Sequence, residues 1–313
     1  MIEALAVLIG LLIAPYLLIG RRETRDAAAL ADGAVTRIAS GRHSIAVRDR
    51  GRGPTVVLIH GFGSWLTSWD RLQTALVIGG YRVIAVDLIG SGASSRSLDP
   101  HDYTTGAQAR ALIEVLQRMG IDRATLVGHS YGGRVALQMA LYDPERVADI
   151  IAIAPETHAT ARPLIARVVT VPVLGYALAF WSTAPALIRF GLASVCRRTG
   201  WLDGERQATY AAPLHVRGHL AAQIVQSGSA KDSDMPVPRH YPHIHVPVHL
   251  IWGENDPVFA AKDGVAMVDQ MRSCDLSVIP QCGHIPHEEA FDETWAVIQQ
   301  HLPSRTVILP TIR

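Results

Sequence analysis

The sequence predicts an α/β fold in which a mostly parallel sheet carries helices on both faces. Short apolar runs rich in β-branched residues alternate along the chain with longer segments of helical periodicity. The runs are continuously apolar, as expected of strands that are buried on both faces. Several of them end directly in glycine-rich or polar turns, and parallel sheets place their functional sites at those carboxyl ends.

The composition restricts the classes of function that the chain can have. Its 313 residues suffice for one large domain or for a domain with an insertion. Hydrophobic residues make up 49% and the formal net charge is +1, so we expect a lipophilic small-molecule partner and no nucleic acid. The three cysteines are widely spaced, and they predict neither a disulfide framework nor a zinc site.

The first twenty residues contain an apolar run. Residues 4–20 carry no charge and are followed by Arg21 and Arg22. Because 17 residues is near the short limit for crossing a bilayer, we expect residues 1–20 to be a membrane anchor. The arginines after the run predict that the rest of the chain stays on the cytoplasmic side. The alternative is a helix on the membrane surface or on the protein's own cap. Residues 21–33 are expected to be a linker.

The next segments predict the beginning of the sheet. Residues 34–39 and 43–48 alternate as in a β-hairpin, and residues 55–60 form an apolar β-branched run. That run ends in His60-Gly61-Phe62-Gly63. A glycine-rich loop directly after a buried strand can turn backbone N–H groups into a site, so we expect Phe62 N–H to be one donor to an oxyanion.

Two further strands end in acidic residues. Residues 82–86 end at Asp87, which we expect to fix loops by hydrogen bonding. Residues 147–154 lead to Glu156. The core is therefore predicted to include residues 34–156, with the chain returning to it later.

A turn at residues 128–132 carries the candidate nucleophile. Gly128-His129-Ser130-Tyr131-Gly132 has the pattern G-x-S-x-G and lies between a predicted strand at 124–127 and a predicted helix at 131–142. Such a turn lifts the serine above the sheet edge at the start of a helix. Tyr131 N–H would be the second oxyanion donor. Taken alone, the pattern also fits a serine that only caps a helix.

The segment between residues 157 and 242 interrupts the alternation. It is rich in apolar residues, prolines and glycines, which predicts several short helices that form a cap over the site. Residues 156–243 contain nine Lys/Arg and five Asp/Glu. We expect this basic, apolar cap to suit a lipophilic substrate, with the cap as a possible second point of membrane contact.

The chain returns to the core at residues 243–313 and supplies a base and an acid. Asp256 lies on a Gly/Pro turn after a strand, and His284 follows another strand and a glycine. A histidine can take the proton of Ser130 and return it to a leaving group, and a carboxylate can hold the imidazole in the required tautomer. Asp256 is the preferred acid, with Glu156 as the alternative. We expect no metal and no organic cofactor.

These motifs together resemble the α/β-hydrolase superfamily, specifically its capped serine hydrolases. The matching stretches are His60 to Gly63, Asp87 to Ser94, Gly128 to Gly133, Trp252 to Pro257 and Gly283-His284. The resemblance implies an eight-stranded sheet with the cap between strands six and seven. It also argues against dehalogenation and epoxide opening, because relatives with those activities carry Asp where this chain has Ser130.

Three functions remain open from the sequence. The first is hydrolysis of a lipophilic ester or thioester through an acyl-enzyme on Ser130. The second uses the same residues for C–C bond hydrolysis or acyl transfer. His287 and Asp292 also fit an H-x-x-x-x-D spacing associated with acyltransferases, although their position at a helix start favours two polar side chains on the surface. The third is a non-catalytic, membrane-tethered scaffold.

Overall fold

The computed structural model describes residues 2–31, 33–157, 177, 180, 181, 185–228 and 238–303. Its strands are β1 (Val35–Ser40), β2 (His43–Arg50), β3 (Thr55–Ile59), β4 (Arg82–Val86), β5 (Ala124–His129), β6 (Val147–Ile153), β7 (Val248–Gly253) and β8 (Cys274–Ile279). They form one eight-stranded sheet in the order β1-β2-β4-β3-β5-β6-β7-β8. β2 runs antiparallel to β1 and β4, and every other neighbouring pair is parallel. The predicted mostly parallel, eight-stranded sheet is confirmed.

The described α-helices lie between and around these strands. They are α1 (Ile2–Arg22), α2 (Asp70–Ile78), α3 (Thr105–Arg118), α4 (Tyr131–Tyr142), α5 (Pro185–Val195), α6 (Gly204–Ala211), α7 (His219–Gly228), α8 (Ala261–Val268), α9 (Pro286–Glu289) and α10 (Phe291–Gln300). Short 3-10 turns precede α2 and α3 and link several of the later elements.

Strand β3 shows why helices cover both faces of the sheet. Successive side chains of a strand point to opposite faces. Val57 and Ile59 belong to a hydrophobic cluster that also contains residues of α3 and α4, whereas Val56 and Leu58 belong to a second cluster with residues of α2 and α10. All four side chains are fully buried, which explains the unbroken apolar run in the sequence.

Helices α5, α6 and α7 occupy the chain between β6 and β7, where we predicted a helical cap. Most of residues 158–184, including most of the apolar stretch on which that prediction was based, lie outside the described residues, as do residues 229–237. The end of α5 contacts the core, because the Val195 carbonyl accepts a hydrogen bond from His284 N–H at 2.8 Å.

The N-terminal segment corrects a prediction. α1 includes Pro15, and among the described residues no helix has the length and apolar character that crossing a membrane requires. The predicted membrane anchor at residues 1–20, and the localisation inferred from it, are therefore wrong. The helix instead contacts the cap: Trp181 Nε1 donates to the Leu11 carbonyl at 3.0 Å, and Arg22 donates to the Phe180 carbonyl at 2.5 Å.

The segment that we expected to be a linker is also bound to the cap. The Glu23 carboxylate accepts hydrogen bonds from the backbone N–H groups of Gly218 and Leu220, each at 2.8 Å. Arg25 forms an isolated β-bridge with Val216. The apolar helix α1 is thus followed by a polar segment that hydrogen-bonds to the cap. The hydropathy pattern alone does not distinguish this arrangement from a membrane anchor.

Candidate active site

Ser130 occupies a strained turn between β5 and α4. Its backbone has φ 50° and ψ −116°, outside the conformations that residues with a side chain ordinarily adopt. The turn is held on both sides, because Ser130 N–H donates to the Ile153 carbonyl at 2.9 Å and the Ser130 carbonyl accepts from Glu156 N–H at 3.0 Å. The surrounding structure therefore fixes the direction of the Ser130 side chain.

The glycine after this turn is required by close approach of the backbone. A Cβ atom added to Gly132 would lie 2.2 Å from the carbonyl oxygen of Ile59, in β3. A side chain at this position would push α4 away from the strand that precedes the glycine-rich loop. The G-x-S-x-G pattern is thus explained by packing as well as by the turn itself.

Ser130, His284 and Asp256 lie in hydrogen-bonding contact. His284 Nε2 is 3.1 Å from Ser130 Oγ, and His284 Nδ1 is 2.8 Å from Asp256 Oδ2. A carboxylate only accepts, so Nδ1 carries a proton and Nε2 is left to accept the serine hydroxyl proton. The Asp256 side chain is fully buried and that of His284 is 9% exposed. The structure brings together the three residues that the sequence analysis named, and their catalytic roles stay predictions.

The loop after β7 aims the Asp256 carboxylate at His284. Asp256 Oδ1 accepts backbone hydrogen bonds from Val258 at 2.7 Å and Phe259 at 3.1 Å, which leaves Oδ2 for the imidazole. The alternative acid, Glu156, has a different partner, because its carboxylate lies 3.0 Å from Arg134 Nη1. The geometry therefore favours Asp256.

The glycine-rich loop after β3 lies directly against Ser130. A Cβ atom on Gly61 would be 3.2 Å from Ser130 Cβ and 2.8 Å from His129 Nδ1. Phe62 is the next residue, and Tyr131 is the first residue of α4. Both residues that we predicted as oxyanion donors thus flank the serine, and their role as donors stays a prediction.

His60 joins this loop to the loop after β4 through hydrogen bonds of its imidazole ring. Its Nε2 accepts a hydrogen bond from Leu88 N–H at 3.1 Å, and its Nδ1–H donates to the Gly61 carbonyl at 2.8 Å. Burial lowers the pKa of His60 to about 4, so the ring is neutral at neutral pH, as these two bonds require. Asp87 supports the neighbouring loops, accepting from Leu66 and Ala93 N–H at 2.7 Å each, as predicted.

Two more histidines pack against His284. From the sequence, His129 has no predicted role and His287 is considered only as a partner of Asp292. His129 Nε2–H donates to the His284 carbonyl at 2.8 Å, and the His287 ring lies 4.6 Å from that of His129. His287 also stacks on Trp69 at 4.3 Å between ring centroids. Burial lowers the pKa of His287 to about 3 and that of His129 well below its usual range. Both rings are therefore neutral neighbours of His284.

The possible pairing of His287 with Asp292 does not occur. The His287 residue is 3% exposed, whereas the Asp292 side chain is 91% exposed and lies 3.8 Å from Arg71. The H-x-x-x-x-D spacing is therefore incidental here. His287 is also not part of a polar surface, as its position near a helix start had suggested.

Glu289 is the other residue that the sequence analysis missed. Its Oε1 accepts from the backbone N–H of Gly283 at 2.9 Å and of Ile285 at 3.3 Å, on both sides of His284. Its Oε2 accepts from the N–H groups of Arg197 at 2.8 Å and Arg198 at 3.0 Å, just after α5 of the cap. One buried carboxylate thus joins the histidine loop to the cap. The only signal in the sequence was an acidic residue five positions after His284.

The neighbouring Glu288 joins a different part of the cap to the core. It is 3% exposed and forms an ion pair with Arg206 of α6. Tyr210, also in α6, donates to Glu288 Oε1 at 3.0 Å. Burial raises the pKa of Glu288, and the Arg206 charge opposes that shift.

Comparison with known proteins agrees with the geometry. A family model described as the alpha/beta hydrolase fold matches residues 54–291. The chain belongs to this family. The match includes the loop after β3, the turn at Ser130 and the loops that carry Asp256 and His284, and it excludes α1.

Individual relatives extend the comparison. A 2-hydroxy-6-oxononadienedioate/2-hydroxy-6-oxononatrienedioate hydrolase of Burkholderia vietnamiensis is 32% identical over 245 residues, covering 75% of this chain and 83% of that protein. The structure of a 2-hydroxy-6-oxo-6-phenylhexa-2,4-dienoate hydrolase from a Rhodococcus strain superposes with a TM-score of 0.73 at 22% identity, covering 85% of this chain and 97% of that one. The structure of a bacterial membrane phospholipase A superposes with a TM-score of 0.71 at 26% identity, covering 96% of this chain and 95% of that one.

Proposed function

We propose that this α/β-hydrolase acts through Ser130 as a nucleophile. The observation that carries the proposal is the continuous hydrogen-bonded chain from Asp256 through His284 to Ser130 Oγ, with distances of 2.8 and 3.1 Å. A serine hydroxyl is a weak nucleophile at neutral pH and needs an adjacent base. His284 is that base, and Asp256 stabilises the imidazolium that forms when the proton moves.

The reaction begins at a substrate carbonyl. Ser130 Oγ attacks the carbonyl carbon while its proton passes to His284 Nε2, and the carbonyl oxygen becomes an oxyanion. Backbone N–H groups of Phe62 and Tyr131 stabilise that charge. When the tetrahedral intermediate collapses, the bond to the leaving group breaks and the leaving group takes the proton from His284.

Water completes the cycle. It attacks the acyl carbon while His284 Nε2 removes a proton, and collapse of the second intermediate returns that proton to Ser130 Oγ. The products are a carboxylic acid and the protonated leaving group. Because the rings of His129 and His287 are neutral, the positive charge that develops on His284 is not opposed by a second positive charge on either histidine.

For the substrate we propose a ketone whose carbon–carbon bond is cleaved, of the 2-hydroxy-6-oxo-dienoate class. The support is the relative that is 32% identical over 75% of this chain and carries that specificity in its name. Carbon is a poor leaving group unless its electron pair is delocalised. In this class, movement of the 2-hydroxyl proton to carbon 5 first gives a 2,6-diketone with a C3=C4 double bond. The electron pair that cleavage of the C5–C6 bond leaves on carbon 5 is then delocalised into the C2 carbonyl as a dienolate, whose oxygen takes the proton from His284.

Hydrolysis of a lipophilic ester is the second candidate. It is supported by the similarity to a membrane phospholipase A, which covers 96% of this chain. Apolar side chains near the site also fit a lipophilic acyl group: the Phe259 ring lies 5.5 Å from that of His284, and Phe62 is 53% exposed beside Ser130.

A substrate panel distinguishes the two candidates. We expect the purified full-length chain to hydrolyse a 2-hydroxy-6-oxo-dienoate with a kcat/KM at least about 100-fold above that of any p-nitrophenyl ester of two to twelve carbons. Faster turnover of the esters would replace the first candidate with the second. Ser130→Ala should lower kcat by about 10³-fold or more on either substrate, with unchanged unfolding by urea. Retained turnover in that variant would contradict nucleophilic catalysis by Ser130 altogether.

A fluorophosphonate probe addresses the scaffold alternative. It should label Ser130 in the folded chain and fail to label the Ser130→Ala variant. Absence of both labelling and turnover in correctly folded protein would favour a non-catalytic role.

A further inference from the structure

A cluster of side chains suited to a metal ion lies near the amino ends of β7 and β8, whereas Ser130 follows the carboxyl end of β5. It consists of His249 in β7, Asp275 in β8 and His301, which follows α10. The potential donor atoms of these three residues all lie within 4.8 Å of one another. His249 Nδ1 is 2.5 Å from Asp275 Oδ1, and the two imidazole rings have centroids 3.4 Å apart.

The sheet register explains this grouping. His249 and Asp275 are directly paired in the parallel ladder between β7 and β8, so their side chains point to the same face. Ile251 lies on that face as well and belongs to the cluster packed under α10. The end of α10 therefore delivers His301 to the two strand residues. Sequence spacing gave no sign of this, because the three residues are brought together only by strand pairing and helix packing.

The cluster is separate from the candidate active site. His249 and Asp275 are each the second residue of their strand, whereas Asp256 and His284 follow the carboxyl ends of the same strands. About 13 Å of extended strand lies between His249 and the end of β7. An ion bound here does not reach the hydroxyl of Ser130.

A further carboxylate adds negative charge nearby. Asp149 lies in β6, two residues before Ile151, which is paired with His249, so its side chain shares that face of the sheet. Its Oδ2 accepts from Thr125 Oγ1 at 3.0 Å, while its Oδ1 is buried and has no hydrogen-bond partner among the described residues. A buried carboxylate oxygen without a donor favours a cation in its surroundings.

We propose that His249, Asp275 and His301 bind a divalent transition-metal ion of the zinc class. Two imidazoles and a carboxylate match the ligands that Zn²⁺ takes, whereas Mg²⁺ and Ca²⁺ prefer oxygen donors alone. Donor atoms around a tetrahedral Zn²⁺ lie about 3.3 Å apart, and the donor atoms here lie within 4.8 Å of one another, so rotation of the side chains brings them to that spacing. The Asp275 side chain is 58% exposed, which leaves room for water at a fourth position.

Binding would join β7, β8 and the end of α10 at one point. Because the unfolded chain does not hold these three ligands together, the ion should stabilise the folded state by RT ln(1 + c/Kd), where c is the Zn²⁺ concentration, an amount that grows with the logarithm of that concentration. The effect concerns stability, and the proposal does not depend on the substrate or on catalysis by Ser130.

Zinc titration of the full-length, chelator-treated protein tests the proposal. We expect the wild type to take up Zn²⁺ in a calorimetric titration and its Tm to rise with ZnCl₂ concentration. His301→Gln should weaken that binding by roughly tenfold or more and remove the rise in Tm. His101→Gln is the matched control, because His101 is exposed and lies elsewhere, and it should behave as the wild type.

Two results would overturn the proposal. One is equal Zn²⁺ affinity and equal Tm response in the wild type and in His301→Gln, which would assign the ion to other histidines. The other is the absence of any heat of binding or Tm change with Zn²⁺. His249→Gln is a second variant for the case in which His301→Gln unfolds, and turnover by either variant should equal that of the wild type.

Discussion

The Glu289 carboxylate accepts a hydrogen bond from Gly283 N–H at 2.9 Å, immediately before His284 in the chain. Its other oxygen accepts hydrogen bonds from the N–H groups of Arg197 and Arg198, which follow α5 of the cap. The position of the histidine loop and the position of the cap thus depend on the same buried side chain.

Substitution Glu289→Gln tests this relationship. The amide replaces one acceptor oxygen by a donor that faces backbone N–H groups, so part of the network becomes repulsive. We expect a loss of about 3 kcal/mol in the free energy of unfolding and a decrease in kcat without loss of Ser130 labelling. Urea denaturation and active-site titration measure the two effects.

Glu293→Gln is the control for that experiment. Glu293 forms an ion pair with Arg198 at 2.5 Å on the surface, with its own side chain 46% exposed. Its loss should change stability by less than about 1 kcal/mol and leave kcat unaltered. Equal effects of the two substitutions would mean that Glu289 contributes only charge pairing.

The identity of the acid is tested by comparing Asp256→Asn with Glu156→Gln. Asparagine can donate to His284 Nδ1, which stabilises the wrong tautomer, and we expect kcat to fall by about 10⁴-fold. Glu156 pairs with Arg134, so its replacement should lower kcat by less than about tenfold. A larger loss from Glu156→Gln would reverse the assignment.

The buried His287 predicts a specific pH dependence of stability. Its pKa is lowered to about 3 by burial, while the unfolded side chain titrates near 6.5. The unfolded state therefore binds more protons between these values, and His287 destabilises the fold progressively as pH falls through 6.5. Between pH 7.5 and pH 5 the loss should be about 2 kcal/mol.

The variant His287→Gln isolates this contribution. Glutamine does not titrate, so the free energy of unfolding should fall by about 2 kcal/mol less than in the wild type over the same pH interval. Urea denaturation at both pH values measures the difference. Parallel pH profiles would show that His287 is protonated equally in the folded and unfolded chain.

Removal of Arg206 is expected to loosen the cap. Arg206→Met leaves the Glu288 carboxylate buried without its cation, which should cost about 3–5 kcal/mol. The double variant Arg206→Met, Glu288→Leu removes both charges and should recover part of that loss. Arg217→Met removes an exposed pair with Asp26 and should change stability by less than about 1 kcal/mol. Denaturation measures the stability of all three variants, and KM measurements show whether a loosened cap changes the apparent affinity for substrate.

Local patterns predicted the core because a buried parallel strand and a strand-to-helix turn each depend on the properties of consecutive residues. The run from Thr55 to Ile59 is apolar because both faces of β3 are covered. Hydropathy failed at α1 for the corresponding reason. An apolar run does not encode tertiary contacts, and here two polar hydrogen bonds, to the Leu11 carbonyl and from Arg22 to the Phe180 carbonyl, join the helix to the cap.

The sequence by itself determined the mostly parallel α/β fold, the strand-to-helix turn at Ser130 and the order in which Asp256 and His284 follow it. Tertiary structure alone decided which carboxylate faces the histidine, how Glu289 joins the histidine loop to the cap, and that His249, Asp275 and His301 meet. The physical reason is distance along the chain. Turns and strands are set by neighbouring residues, whereas contacts such as His284 with Asp256, 28 positions apart, or Arg197 with Glu289, 92 positions apart, exist only after strands have paired and helices have packed.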